Sequence, residues 1–162
     1  MNAIVAISKN RGIGLDNDLL FHIPGDLKFF KEMTVGKTVV MGRKTLESLP
    51  SGKPLPKRTT VVLSGSENKV EGATYVKSID ELFSVLDKDS DDVMICGGEQ
   101  IYSQLLPYCK KAYVTIIDKE AEANKFFPDI FSDSDWELYE KSEPQEHDGI
   151  SYTFNTYINK RI

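Results

Sequence analysis

Apolar positions along the chain change period repeatedly, and each change marks a different kind of element. Short runs rich in β-branched and aromatic residues predict strands at Ala3–Ser8, Thr38–Met41, Thr59–Ser64, Ala73–Val76, Val93–Cys96, Ala112–Asp118, Trp136–Lys141 and Tyr152–Asn159. Near-continuous runs such as Val93-Met94-Ile95-Cys96 fit central strands covered on both faces. The last two runs alternate better and no helix separates them, so they predict an antiparallel hairpin with Gly149 in its turn. Helical spacing fills the gaps. Pro24 opens a helix running to about Met33, at a position where a missing N–H costs nothing. Arg43–Leu49 is a shorter helix. Ser78-Ile79-Asp80-Glu81 has capping-box spacing ahead of a stripe of Ile79, Leu82, Phe83 and Leu86. Gly98–Leu106 sets Ile101, Tyr102, Leu105 and Leu106 on one side, and Pro107 ends it. The expected fold is a single α/β domain over residues 1–162. Its mixed, mostly parallel central sheet has about eight strands, an antiparallel C-terminal edge strand and four flanking helices. Lys9–Ile23, with Gly12, Gly14, Asp16, Asn17 and Asp18, reads as a loop, and loops of that length tend to be functional.

Composition narrows the classes of function. Hydrophobic residues make up 40% and charged residues 28%, the balance of a globular chain rather than a disordered or membrane one. The start has no basic flank and too short an apolar run for a signal peptide, and no segment approaches the roughly 20 apolar residues of a membrane span. A formal net charge of −5 argues against a general affinity for nucleic acid, although a local cluster of Lys and Arg could still hold an anion. Cys96, Cys109, His22 and His147 match neither a disulfide framework nor a metal-ligand spacing. The expectation is a cytoplasmic monomer that binds no metal, nucleic acid or membrane.

Two attractive motifs fail. Gly36-Lys37-Thr38 resembles the end of a phosphate-binding P-loop, but Lys31 stands where a Gly is needed and a strand follows the Lys. Gly12-Ile13-Gly14 begins a dinucleotide fingerprint whose third glycine is replaced by Asn17. Three other constellations hold. In Pro24-Gly25-Asp26-Leu27-Lys28-Phe29-Phe30, Asp26 and Phe30 share a helix face with Leu27 beside them. Asp26 then either complements the helix dipole or is a carboxylate in an apolar pocket, poised to pair with an amidine-like ligand edge. In Met41-Gly42-Arg43-Lys44-Thr45, a strand runs through glycine into a helix whose first turn is cationic, a poor match to the dipole but a good one to phosphate. Paired glycines in Cys96-Gly97-Gly98-Glu99 allow a ligand close approach to backbone. Cys96 itself reads as a pocket wall rather than a nucleophile.

Taken together, these segments resemble the bacterial dihydrofolate reductases. The likeness runs almost end to end, through Ile4-Val5-Ala6, Ile13-Gly14, Pro24-Gly25-Asp26-Leu27, Met41-Gly42-Arg43-Lys44-Thr45-Leu46-Glu47-Ser48, Pro54-Leu55-Pro56-Lys57-Arg58, Cys96-Gly97-Gly98 and Phe127-Pro128. The resemblance implies reduction of 7,8-dihydrofolate to tetrahydrofolate by NADPH, with hydride transfer to pterin C6 and protonation of N5. It implies that Asp26 anchors the pterin through its 2-amino group and ring N3, with Thr115 bonded to it directly or through water. Ile4, Ala6 and Cys96 would line the pterin pocket, with Leu27 and Phe30 on one side of the substrate and Leu49 and Leu55 on the other. Arg58 would grip the glutamate α-carboxylate with its planar fork. For NADPH, Arg43, Lys44 and Ser64 would meet the 2′-phosphate, and Thr45 with Gly97 and Gly98 the pyrophosphate. Ala6, Ile13, Gly14 and Tyr102 would lie toward the nicotinamide, with Gly42, Leu63, Gln100 and Ile101 completing the cofactor set. The family also carries a cis peptide between the paired glycines. Proton delivery would use a water near Leu19 or Phe21, under a lid formed by Lys9–Ile23.

Three positions depart from the family pattern. Phe21 replaces a usual Trp and removes an indole N–H, while Ala123-Asn124-Lys125 replaces a common Gly-Asp-Thr that helps to latch the lid. Pro50-Ser51-Gly52 lengthens the loop over the substrate tail. Two alternatives stand beside this reading. One is a reductase of the same fold acting on a pyrimidine of riboflavin synthesis, which need not keep Asp26, Leu27, Phe30 and Arg58. The other is a non-catalytic nucleotide-binding module on the same scaffold.

Overall fold

Parallel pairing dominates the centre of the fold, as the continuous apolar runs require. The computed structural model describes residues 1–16 and 18–162, with Asp18 and Leu19 described by backbone alone. In chain order the elements are β1 (Asn2–Ile7), β2 (Gly12–Leu15), β3 (Asp18–Leu19), α1 (Pro24–Thr34), β4 (Thr38–Gly42), α2 (Arg43–Ser48), β5 (Thr59–Leu63) and β6 (Ala73–Val76). They continue as α3 (Ile79–Val85), β7 (Val93–Ile95), α4 (Glu99–Leu105), β8 (Lys111–Ile117), β9 (Lys125–Phe126), β10 (Trp136–Lys141), β11 (Gln145–His147) and β12 (Ile150–Asn159). The main sheet runs β10-β12-β8-β1-β7-β4-β5-β6, parallel from β8 to β6. β12 lies antiparallel to β8, and β10 antiparallel to β12. The mixed α/β fold expected from the sequence is present.

The C-terminal edge differs in one detail. Gly149 does sit in a tight turn, but the strand that pairs across it is β11, with His147 opposite Ile150. Asp148 and Gly149 both have positive φ, the geometry that suits a two-residue hairpin turn. β11 escaped sequence reading because Gln145-Glu146-His147 has no apolar alternation. The stretch expected to be a plain loop, Lys9–Ile23, also holds more structure. β2 and β3 form a small antiparallel pair, and β9 completes it in the order β3-β2-β9.

Alternation along β1 and β8 divides the core in two. Ala3, Val5 and Ile7 of β1 join Ala112 and Val114 of β8 beneath Leu82 of α3 and Ile101, Tyr102 and Leu105 of α4. On the other face, Ile4, Val39, Met41, Val62 and Met94 pack against Leu46 of α2, with Phe30 and Met33 of α1 beside them. Helix ends follow the chemistry of their sequences. The hydroxyl of Ser78 accepts from Glu81 N (3.1 Å), while Glu81 Oε2 accepts from Lys77 N (3.0 Å). α1 starts at Pro24 with Ile23 as its N-cap and no capping side chain.

This two-faced packing creates the crevice that matters. β7 lies between β1 and β4, yet the helix following β7 covers one face while those following β1 and β4 cover the other. Beyond the carboxyl ends of such strands the departing chains separate, and open α/β sheets bind ligands there.

Candidate active site

Asp26 lies in the first turn of α1, over the face that carries Ile4 and Ala6. It does not cap its helix. Its Oδ1 accepts a hydrogen bond of 2.7 Å from the hydroxyl of Thr115, a residue 89 positions away. Thr115 is only 4% exposed and sits opposite Ala6 in the β1–β8 register. Burial raises the proton affinity of Asp26 above the ordinary carboxylate value, and the Thr115 hydrogen bond opposes that rise. The Thr115 bond and the burial support the pocket reading of this carboxylate, which still lies in the first turn of α1.

Apolar walls surround the pair. Ala6 and Phe21 pack with Ile23, Ile117, Tyr152 and Phe154. Phe30, Leu49, Cys96 and Tyr113 pack against the cluster holding Ile4. Leu27 is 46% exposed although it belongs to α1, so an apolar surface is left beside Asp26. Leu55 is half-buried after the Pro50–Gly52 turn, where Ser51 takes a positive φ. Burial pushes the Cys96 thiol up to about 12, against a smaller opposing pull from the charge of Arg58. A thiol held protonated in this way is a wall, not a nucleophile.

Arg58 is steered by the far end of α1. Its Nε donates to Thr34 Oγ1 (3.0 Å) and its Nη1 to the carbonyl of Pro56 (3.1 Å). Thr34 in turn donates to Phe30 O (2.7 Å), so one helix supports both the carboxylate and the cation of the site. Sequence reading missed Thr34, because a pairing across 24 residues leaves no local signal.

The glycine corners after β4 and β7 meet each other. Gly42 N donates to Gly97 O (2.9 Å), and the Gly97–Gly98 peptide is cis, as the family resemblance implied. A Cβ on Gly98 would lie 3.6 Å from Thr45 Oγ1, and one on Gly42 would lie 3.3 Å from Ile101. Gly97 has a φ of +106°, and a Cβ there would come within 2.9 Å of the Tyr102 ring, so only glycine fits. Tyr102 acts from behind this corner: it is 3% exposed and its hydroxyl donates to Ile4 O (2.7 Å). Ile101 is likewise buried, whereas Gln100 and Lys44 are exposed. Leu63 packs on the first core and Ser64 Oγ accepts from Ser66 N (3.1 Å). Arg43 does not stand alone at the helix start. Glu47, one turn on, pairs with it at 2.6 Å.

Asn124, in the segment that departs from the family pattern, bonds to the stretch Lys9–Ile23. Asn124 N donates to Gly14 O (3.0 Å), Asp16 N to Asn124 Oδ1 (3.3 Å), and Asn124 Nδ2 to Asp16 Oδ1 (3.1 Å). Ile13 packs against the first core and Gly14 is buried. Asn17 and the side chain of Leu19 lie outside the described residues.

A family model described as dihydrofolate reductase matches residues 1–159. The chain belongs to the dihydrofolate reductase family. Curated relatives agree. The dihydrofolate reductase of Bacillus subtilis (strain 168) is 38% identical over 160 residues, covering 97% of this chain and 93% of its own. That of Neisseria gonorrhoeae is 40% identical over 159 residues, covering 97% and 96%. Among solved structures, a dihydrofolate reductase from Enterococcus faecalis complexed with NADP(H) and RAB-propyl superposes with a TM-score of 0.87 at 34% identity, covering 98% of this chain and 95% of that one. As a member of the family, the chain is an NADPH-dependent oxidoreductase that reduces 7,8-dihydrofolate to tetrahydrofolate.

Proposed function

We propose that dihydrofolate is reduced in the pocket over Ile4, Ala6 and Thr115, with Asp26 anchoring the pterin. The observation that carries this reading is a desolvated carboxylate bonded to one hydroxyl and bordered by apolar side chains. Such a group pairs strongly with a planar donor edge, and the 2-amino group and ring N3 of a pterin present one. Leu27 and Phe30 flank the substrate on one side, Leu49 and Leu55 on the other, and Cys96 closes the wall. Arg58, held by Thr34, receives the glutamate α-carboxylate as a bidentate partner.

The paired corners fit a dinucleotide, because Gly97 admits no side chain and Gly42 and Gly98 leave bare backbone beside Ile101 and Thr45. Thr45, Gly97 and Gly98 hold the pyrophosphate, and Arg43, Lys44 and Ser64 the 2′-phosphate, for which Arg43 exchanges Glu47. Ala6, Ile13 and Gly14 border the nicotinamide, Tyr102 supports it through Ile4 and Gly97, and Leu63, Gln100 and Ile101 complete the cofactor wall. NADPH, when bound, supplies the hydride that goes to pterin C6. The protein orients the two rings and excludes water. Asp26 polarises the pterin so that N5 takes its proton from water admitted near Phe21 and Leu19, with Thr115 holding the carboxylate. The chain acts as one functional domain and as a monomer. A cytoplasmic location accords with two free cysteines.

Asp26→Asn tests the reading. NADPH affinity should be preserved, while dihydrofolate-dependent loss of NADPH absorbance near neutral pH should fall by roughly 10²–10⁴-fold. Wild-type turnover in that variant would remove Asp26 from the mechanism.

A further inference from the structure

Gly25 precedes Asp26, and its missing side chain is accounted for by a residue from the opposite end of the chain. A Cβ built on Gly25 would overlap the hydroxyl oxygen of Tyr152, whereas Cζ of the same ring would lie at an ordinary 3.4 Å. The overlap thus belongs to the hydroxyl alone. Tyr152 is not a loose side chain that could swing away. It is 6% exposed, sits opposite Ile117 on β12, and packs with Ile23, Ala6 and Phe21. Its ring meets Phe154 edge-on at 5.6 Å, and Phe154 stacks on Phe29 of α1 at 4.5 Å. Phe154 also lies opposite Thr115 on β8, the residue that bonds Asp26. Three supports therefore meet the first turns of α1: Tyr152 at Gly25, Thr115 at Asp26 and Phe154 at Phe29.

We infer that Tyr152 is a positioning residue for the reaction: its hydroxyl occupies the place of a side chain at Gly25 and sets how deeply the first turn of α1, and with it Asp26, is seated against Thr115. The inference rests on the reading of Asp26 as pterin anchor. An added methyl at Gly25 has to displace either a wedged ring or the helix start by roughly 1 Å to restore normal contact. The ring is wedged, so the helix start, which no capping side chain holds, yields and strains the bond between Thr115 and Asp26. Misplacement of about that size in a positioned group costs up to about a hundredfold in rate.

The test is a double-mutant cycle on Gly25→Ala and Tyr152→Phe, with kcat and KM for dihydrofolate and a separate titration of NADPH. In the wild-type background Gly25→Ala should lower kcat/KM for dihydrofolate by roughly ten- to a hundredfold, with NADPH affinity within about twofold of the parent. In the Tyr152→Phe background the same change should cost less than about threefold, because only the Cζ contact remains. Equal losses in both backgrounds, no loss in either, or loss of NADPH binding along with dihydrofolate turnover would overturn the inference. Asp26→Asn, assayed alongside, separates the two levels. If it keeps wild-type turnover, the anchor reading fails; if it is inactive while Gly25→Ala is silent, only the role of Tyr152 fails.

Discussion

Asp26→Asn should make the protein more stable at neutral pH while removing its activity. Burial holds the folded-state proton affinity of this carboxylate above its ordinary value of 3.8, so between those two values the folded chain binds more protons than the unfolded one. Stability from this group is then complete below 3.8 and is lost as pH rises through the raised folded value. Two opposing contributions set the size. Desolvating the carboxylate costs about 1–3 kcal/mol or somewhat more, and the hydrogen bond from the Thr115 hydroxyl returns about 1.5–3 kcal/mol. The upward direction means that desolvation wins. The amide carbonyl of the variant can still accept from Thr115, so the hydrogen bond survives while the charge penalty goes. For a chain of 162 residues, each 1 kcal/mol of that difference corresponds to about 2–4 °C in Tm. Thermal or denaturant unfolding of both proteins, without ligands, across a series from acid to neutral pH measures it. The gap should be near zero at the acid end, widen with rising pH and level off. A gap that does not change with pH, or a variant less stable at neutrality, would refute the reasoning.

Arg58→Ala should weaken dihydrofolate binding by roughly ten- to a hundredfold, the loss of a charge-assisted hydrogen-bonded pair, and leave NADPH binding unchanged in separate titrations. Unaltered dihydrofolate affinity would assign the glutamate to Lys53 or Lys57 instead. Thr60→Val, far from Asp26, should stabilise the fold by about 1 kcal/mol in denaturant unfolding, since the hydroxyl of this buried residue lacks a hydrogen-bond partner in the described structure. A loss of stability would mean that the hydroxyl is satisfied by water.

How much of this was legible in the sequence depended on distance along the chain. The long parallel strands and the four helices rest on local periodicity, and each was readable at its own position. β2, β3, β9 and β11 span two to four residues each and are defined by their partners, so no window of sequence contains their cause. The pairing of Arg43 with Glu47 is a different kind of case. The acidic partner stood four residues ahead on the same helix face, and the spacing alone announced the pair.

Asp26 shows why the site was only half legible. A carboxylate in the first turn of a helix suits the dipole whatever the rest of the protein does, so the segment Pro24–Phe30 was compatible with two roles. The choice between them comes from Thr115 on β8, and the seat of the helix comes from Tyr152 and Phe154 on β12. Those residues reach α1 only because β12 folds back antiparallel beside β8, a step decided by the last strand of the chain. Motif residues could therefore name the chemistry, but the contacts that would seat Asp26 as an anchor come from strands more than eighty residues downstream.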